Sequence, residues 1–201
     1  MSALFLVRHG QSTWNAESRW QGQADPPLSE LGEQQANAAA ERLATGDPID
    51  AVWASDLERA RRTAELVAGH LGLAVQLEER LRERHAGEWT GLTRAEIEAR
   101  YPGALAARQS PPGFEQDEPL LARVLPALRS IAAGAGAGRV LVVTHGGVVR
   151  TVERDLGAAA EVVPNLGGRW VHAEGGGPLT LGDRQLLIDP GDVAVTVPRS
   201  I

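Results

Sequence analysis

Residues 5–15 read FLVRHGQSTWN, so an apolar run stops directly at an arginine and a histidine. Residues 3–7 are short, apolar and rich in strand formers, which is typical of a central parallel strand covered on both faces. Arg8 and His9 follow at the carboxyl end of this strand. Ligands bind at that edge of open α/β sheets, because the loops that leave the strands surround a crevice there. The stretch therefore predicts a ligand site at the end of the first strand.

The composition indicates a globular chain and excludes several classes of partner. The 201 residues are 43% hydrophobic and 23% charged, which predicts a single domain over residues 1–201. The formal net charge is −6, whereas nucleic acid and anionic membranes call for a basic face, so we expect neither as a partner. The absence of cysteine excludes disulfides and thiol nucleophiles. No stretch has the pattern of a signal peptide or a membrane span, so we expect a cytoplasmic protein.

Apolar runs alternate in length and period along the chain, which predicts alternating strands and helices. Ser29 and Ser55 are candidate caps for two helices, and Gly46 and Gly72 are candidate stops. Further strands are expected at 51–54, 73–77, 140–143, 169–174 and 184–189, and further helices at 94–100, 118–133 and 148–156. This order predicts an α/β fold, a three-layer α/β/α arrangement around a mostly parallel central sheet.

Four segments place charged or imidazole side chains just after a strand or at the start of a helix. They are VRHGQSTWN (7–15), SDLERARRTA (55–64), LRERHAGEWTGL (81–92) and VVTHGG (142–147). With RWQGQADPPLSELGEQQA (19–36) and SPPGFE (110–115), they resemble the histidine phosphatase superfamily of phosphoglycerate mutase-like proteins. The resemblance extends from Leu4 to about Gly147 and implies the phosphoglycerate mutase-like fold.

The resemblance also implies an activity and a set of site residues. It implies a metal-independent phosphomonoesterase of the histidine acid phosphatase type, in which His9 forms a phosphohistidine and Glu83 donates the proton. Arg8, Arg59 and His145 would bind the phosphoryl group. Further contacts to the substrate fall on Asn15, Gln21, Gly22 and Gly146. A small phosphorylated substrate is the expected partner, a homodimer stays open, and no cofactor or metal is implied.

The residue types suit this chemistry independently of the resemblance. A phosphate monoester carries close to two negative charges at neutral pH, so a neutral imidazole approaches it more easily than an anionic nucleophile does. The guanidiniums of Arg8 and Arg59 disfavour the imidazolium form of His9, and they also bind phosphoryl oxygens through charge-assisted hydrogen bonds. One acid/base group such as Glu83 can protonate the leaving oxygen and later activate water.

Structural readings compete with functional ones at several other positions. Arg61 and Arg62 fit a solvated charged face, and His70 and His172 fit structural roles. The histidines lack metal-ligand spacing such as HExxH, so we expect no metal site. Trp14 and Trp20 flank the phosphate loop and are candidate walls of the substrate pocket, whereas packing is the simpler reading for the tryptophans at 53, 89 and 170.

The stretch TRAEIEARYPGALAARQSPPGFEQDEP, residues 93–119, bears on the choice between phosphatase and mutase. Glycolytic mutases of the superfamily have a longer insertion here that includes an adjacent arginine pair, whereas this stretch is short and has no adjacent arginines. The stretch resembles small broad-specificity phosphatases, except that Phe114 and Gln116 stand where those relatives usually have Gly and Ser. We therefore expect a phosphatase of small phosphorylated metabolites; the alternatives are a cofactor-dependent phosphoglycerate mutase and a non-catalytic phosphate-binding module.

Overall fold

A computed structural model describes residues 1–159, 161–174 and 177–197 of the chain. One six-stranded sheet forms its centre, in the order β3-β2-β4-β1-β5-β6. The strands are β1 (Ser2–Arg8), β2 (Ala51–Ala54), β3 (Val75–Leu77), β4 (Arg139–Thr144), β5 (Gly167–Ala173) and β6 (Leu179–Leu186). The first four pair in parallel, and β5 and β6 are antiparallel to their neighbours. The predicted mostly parallel sheet is confirmed.

Helices cover both faces of this sheet and make the three layers. They are α1 (Thr13–Ala16), α2 (Glu30–Ala44), α3 (Glu58–Leu71), α4 (Arg94–Arg100), α5 (Asp117–Ala135) and α6 (Gly146–Asp155). Side chains of β1 alternate between the two cores: Leu4 and Leu6 pack with α5 and α6, and Phe5 and Val7 pack with α2 and α3. Within the described ranges no helix is long and apolar enough to cross a membrane. The α/β/α prediction is confirmed.

Two local predictions are wrong. Ser55 does not cap α3: the N-cap is Leu57, and the Ser55 hydroxyl accepts from the Leu57 amide within the preceding turn. The last strand begins at Leu179, five residues before the predicted start at 184, and runs through Gly182. A Cβ at Gly182 would lie 2.5 Å from Nε2 of His172, so this glycine leaves room within the strand for a side chain of β5.

Glycine is also required where β5 pairs with β1. A Cβ at Gly168 would lie 2.1 Å from the carbonyl oxygen of Leu6 and 2.8 Å from Cα of Val7, both backbone atoms of β1. β1, which ends at Arg8 and leads directly into His9, therefore admits no side chain at this contact without moving.

We expect Gly168→Ala to lower the free energy of unfolding by about 3 kcal/mol, because overpacking against a central strand forces backbone shifts. Urea denaturation measures the change. Gly69→Ala is the matched control: it lies in α3 with nothing within 4 Å of its added Cβ, so we expect a gain of up to about 1 kcal/mol. Equal stability of Gly168→Ala and the unaltered chain would contradict the close approach.

Candidate functional site

The carboxyl end of β1 delivers His9 into the interior with its tautomer fixed. Its Nδ1 lies 2.6 Å from the carbonyl oxygen of Gly10, and its Nε2 lies 3.2 Å from Nε of Arg59. A carbonyl can only accept and a guanidinium can only donate. The proton therefore sits on Nδ1, and the lone pair of Nε2 faces Arg59.

Burial and charge keep this imidazole neutral. His9 is 2% exposed, and its pKa lies well below the ordinary 6.5 because of desolvation, followed by the charges of Arg59 and Arg8. Desolvation also lowers the pKa of each guanidinium to about 10, against the opposing effect of Glu83. Both arginines remain cationic at neutral pH, so the site combines two buried positive charges with an uncharged nucleophilic nitrogen.

Arg59 extends from α3, and the loop that precedes α2 holds its guanidinium in place. Its Nη1 donates to the carbonyl of Ala24 at 2.7 Å, and its Nη2 donates to the carbonyl of Gly22 at 2.9 Å. Gly22 has φ +53°, and a Cβ there would lie 2.6 Å from the Ala86 amide nitrogen. Glycine is thus needed for the turn and for the close approach of two loops, which explains its place in the motif.

His145 closes the site from the neighbouring strand, β4, as the N-cap residue of α6. Its ring centroid lies 5.2 Å from that of His9, in an edge arrangement. Its Nε2 is 2.9 Å from the hydroxyl of Ser55, and its buried Nδ1 has no hydrogen-bond partner. Desolvation, then the charge of Arg59, lowers the pKa of His145 well below 6.5.

The Glu83 carboxylate is held by two backbone amides, one of them at the start of α6. Its Oε1 accepts from the Arg84 amide and its Oε2 accepts from the Gly147 amide, each at 2.9 Å. A Cβ at Gly147 would lie 2.3 Å from Oε1 of Glu83, so the second glycine of the HGG sequence makes room for this carboxylate. Gly146 makes room for Arg8 in the same way, since its Cβ would lie 3.0 Å from Nη1.

Asn15 and Gln21, the site residues predicted in the first loop, are both buried and are linked through Ser12. The Ser12 amide donates to Oδ1 of Asn15, and the Ser12 hydroxyl donates to Oε1 of Gln21. Nδ2 of Asn15 is buried and has no partner. The Asn15 amide is therefore oriented with its donor group unused, as an anion-binding donor requires.

Most of the predicted site residues contact one another. His9 contacts Arg59 and His145, Gly22 contacts Arg59, and Arg8 and Glu83 lie against Gly146 and Gly147. Two side chains that flank the motifs lie elsewhere. His85 is exposed, and Trp20 packs edge-on against Trp89 at 5.1 Å between centroids in a small separate cluster. Sequence reasoning missed Ser55 as the partner of His145. It also missed Asn165, whose Nδ2 donates to the carbonyl of His9 at 2.7 Å; the only signal was an amide in the apolar stretch VVPNLGG.

The arrangement is that of an anion site with a nucleophile. The imidazole of His9 lies beside the guanidinium of Arg59 and the ring of His145. The Glu83 carboxylate is near enough to raise the pKa of both Arg8 and Arg59 against the effect of their desolvation. Among the residues that the structure describes, no group of three or more His, Asp or Glu side chains is placed to hold a metal ion.

Comparisons with known proteins agree with this geometry. The model of the histidine phosphatase superfamily (branch 1) matches residues 4–164. Glucosyl-3-phosphoglycerate phosphatase of Mycolicibacterium vanbaalenii is 36% identical, over 98% of this chain and 97% of the relative. A 2,3-bisphosphoglycerate-dependent phosphoglycerate mutase of a Methylobacterium species is 39% identical over 81% and 85%. The structure of a mycobacterial glucosyl-3-phosphoglycerate phosphatase complexed with VO3 superposes with a TM-score of 0.79, at 34% identity over 89% and 96%.

We expect the free energy of unfolding to fall as the pH drops from 7.5 to 5.5. Unfolded histidines take up protons near pH 6.5, whereas the folded chain keeps His9 and His145 neutral to much lower pH. Where the unfolded state binds more protons, stability rises with pH, by up to about 1.4 kcal/mol per pH unit for each histidine. Urea titrations at both pH values measure the slope.

The double variant His9→Gln, His145→Gln is the control for this slope. It removes both buried imidazoles, so its stability should change far less between pH 7.5 and 5.5. An unchanged slope in the double variant would show that other groups cause the pH dependence.

Proposed function

Because the chain belongs to the histidine phosphatase superfamily, we propose that it hydrolyses phosphomonoesters of small metabolites through a phosphohistidine at His9. One observation carries the proposal: the unprotonated Nε2 of a neutral, buried imidazole lies within 3.2 Å of a guanidinium. Arg59 can thus bind a phosphoryl oxygen beside the nitrogen that attacks phosphorus. The nucleophile and the cation that neutralises the charge of the phosphoryl group therefore lie side by side.

Two half-reactions follow from this arrangement. In the first, the Nε2 lone pair of His9 attacks phosphorus, the P–O ester bond breaks, and the leaving oxygen takes a proton from Glu83. In the second, water attacks phosphorus and gives a proton to the Glu83 carboxylate, the P–N bond breaks, and inorganic phosphate leaves. The Gly10 carbonyl accepts from Nδ1–H throughout, so it stabilises the positive charge that the imidazole acquires on attack.

The remaining site residues bind the phosphoryl group. Arg8 and Arg59 supply guanidinium donors, and His145 adds an imidazole whose Nδ1 has no protein partner. Asn15 offers its unused Nδ2. Gln21 and Gly22 shape the loop that holds Asn15 and Arg59. Gly146 starts α6, and the N-terminus of a helix favours negative charge.

We further propose that no metal ion takes part. The negative charge of the phosphoryl group can be neutralised by the buried guanidiniums of Arg8 and Arg59. Such fixed cations do what a divalent ion does elsewhere, which is to stabilise the equatorial oxygens of the phosphoryl group.

A phosphoglycerate mutase is the second candidate, since a mutase relative is 39% identical. The segment after Glu83 favours the phosphatase. It carries the short helix α4 and no adjacent arginine pair, and Phe114 lies over the guanidinium of Arg84 at 5.3 Å from the ring centroid. An aromatic ring thus covers a cation in this segment, whereas a mutase presents paired arginines to the carboxylate end of its substrate.

We expect the purified chain to release inorganic phosphate from p-nitrophenyl phosphate and from some members of a panel of metabolite monoesters. Chelation with EDTA should leave the rate unchanged, because no step needs a metal. His9→Ala should lose the activity, and Arg62→Ala, a half-buried α3 residue that pairs with Glu33, is the control that keeps it. Phosphate release is followed colorimetrically.

Three results would contradict the proposal. Interconversion of phosphoglycerates with a bisphosphoglycerate primer, with little free phosphate, would establish the mutase. Loss of the rate in EDTA that added metal restores would exclude the metal-independent route. Binding of monoesters without turnover would leave a phosphate-binding module.

We expect Glu83→Gln to slow the hydrolysis of alkyl phosphates about a hundredfold and that of activated aryl phosphates by much less. A poor leaving group needs its proton in the transition state, and general acid catalysis contributes about 10²–10⁴-fold. The measurement is kcat/KM across a series of leaving-group pKa values. Glu79→Gln, an exposed neighbour, is the control; equal losses across the series in Glu83→Gln would remove the proton-donor role.

A further inference from the structure

The loop that carries His9 has its backbone groups held from several parts of the fold. The carbonyl of Arg8 accepts from the Leu166 amide at 3.0 Å, and the amide of His9 donates to the carbonyl of Thr144 at 3.0 Å. The amide of Gly10 donates to the Thr63 hydroxyl at 3.1 Å. Two further groups in this loop, the His9 carbonyl and the Gln11 amide, are bound by buried side-chain amides.

Those two side chains are Asn165, before β5, and Gln35, in α2, and both are fully buried. Nδ2 of Asn165 donates to the carbonyl of His9 at 2.7 Å. Oε1 of Gln35 accepts from the Gln11 amide at 2.8 Å. Each carboxamide thus binds the loop of His9 through either its oxygen or its amino group, and the other polar group needs a partner elsewhere.

Thr196, close to the end of the described chain, supplies that partner to both. Its hydroxyl donates to Oδ1 of Asn165 at 2.7 Å and accepts from Nε2 of Gln35 at 3.0 Å. Backbone bonds fix the segment in place: Asn165 N donates to Thr196 O at 3.0 Å, and Gln35 Nε2 donates to Ala194 O at 2.8 Å. We call Gln35, Asn165 and Thr196 the carboxamide network.

The direction of these bonds sets the orientation of Asn165. The Gln35 amide group occupies a lone pair of the Thr196 hydroxyl, which leaves the hydroxyl proton for Oδ1 of Asn165. With Oδ1 facing the hydroxyl, Nδ2 faces the His9 carbonyl. A flipped Asn165 would set its carbonyl oxygen against that of His9, and two acceptors cannot bond. The threonine hydroxyl therefore selects the productive orientation of the amide.

We propose that Thr196 is a positioning residue for His9, acting through Asn165, so that the segment 193–197 is a functional part of the site. This inference rests on the proposed role of His9 as the nucleophile. The carboxamide network does not touch Nε2, and its contact with a phosphoryl-binding residue is the long one of 3.5 Å from Nδ2 of Asn165 to Oδ1 of Asn15, on the side away from the Asn15 donor group. The network binds the carbonyl of His9. It therefore fixes the backbone of His9, and with it the position from which the imidazole attacks. Displacement of a nucleophile costs rate more than it costs substrate binding.

The test compares Thr196→Val with Thr196→Ser. Valine keeps the shape and removes the hydroxyl, whereas serine keeps the hydroxyl and removes a methyl group. With p-nitrophenyl phosphate we expect Thr196→Val to lower kcat about tenfold and to change KM by less than about twofold. Thr196→Ser should restore kcat to near that of the unaltered chain. Thr180→Val, at an exposed position of β6, makes the same chemical change and should alter neither constant.

A pre-steady-state measurement identifies the step. The rate of phosphohistidine formation in rapid-quench experiments should fall in Thr196→Val by the same factor as kcat when formation limits turnover. If valine prevents folding, Thr196→Ala with Thr196→Ser provides the same comparison without the β-branched shape.

Failure of this inference is distinguishable from failure of the proposed function. Full activity in His9→Ala would overturn the proposed function. With His9 required, an unchanged kcat in Thr196→Val would overturn the positioning role. Equal losses in the valine and serine variants, or a loss of kcat that follows a fall in melting temperature, would reduce Thr196 to a packing residue.

Discussion

The site depends on one hydrogen bond, from Nδ1 of His9 to the carbonyl of the next residue, Gly10, at 2.6 Å. This bond places the imidazole proton on the side away from Arg59 and leaves Nε2 with its lone pair. With the proton on Nε2 instead, the imidazole would direct an N–H at the guanidinium and would present no lone pair for attack. The surrounding interactions have a common effect, which is to keep the backbone of residues 8–11 where this bond forms.

Burial of charge is the second constraint, and it explains why the site lies at the meeting point of several elements. Two guanidiniums beside a neutral imidazole repel one another and lose hydration. Arg8 offsets this by donating to the carbonyl of Val163 at 2.8 Å, and Arg59 by donating to two carbonyls of the preceding loop. Neutral backbone acceptors hold the cations without cancelling their charge, so a dianionic phosphoryl group remains the best counter-ion.

Some of the site residues could be located from a local signal, whereas Glu83, Asn15 and Gln21 came from the resemblance to the superfamily. Arg8, His9 and His145 follow apolar strands, and the end of a parallel strand predicts a ligand site. Ser55 and Asn165 lacked such a signal, because their partners lie 90 and 156 positions away. A serine before a helix is ordinarily read as a cap, and here tertiary contact with His145 takes precedence. The early start of β6 was missed for a similar reason, since Gly182 is explained only by the ring of His172 opposite it.

The sheet order sets the time at which this chain can first become active. β1 lies between β4 and β5, and Ala3 pairs with Arg139 on one side and His172 on the other. β1 must therefore wait until β4, which follows it by more than 130 residues, has been synthesised before it finds a neighbour in the sheet. Contacts between residues so distant in sequence slow folding, because loop-closure entropy is lost before pairing compensates for it. Until then the apolar run before Arg8 is an unpaired strand exposed to other chains, and nascent molecules are at greatest risk of aggregation in that interval.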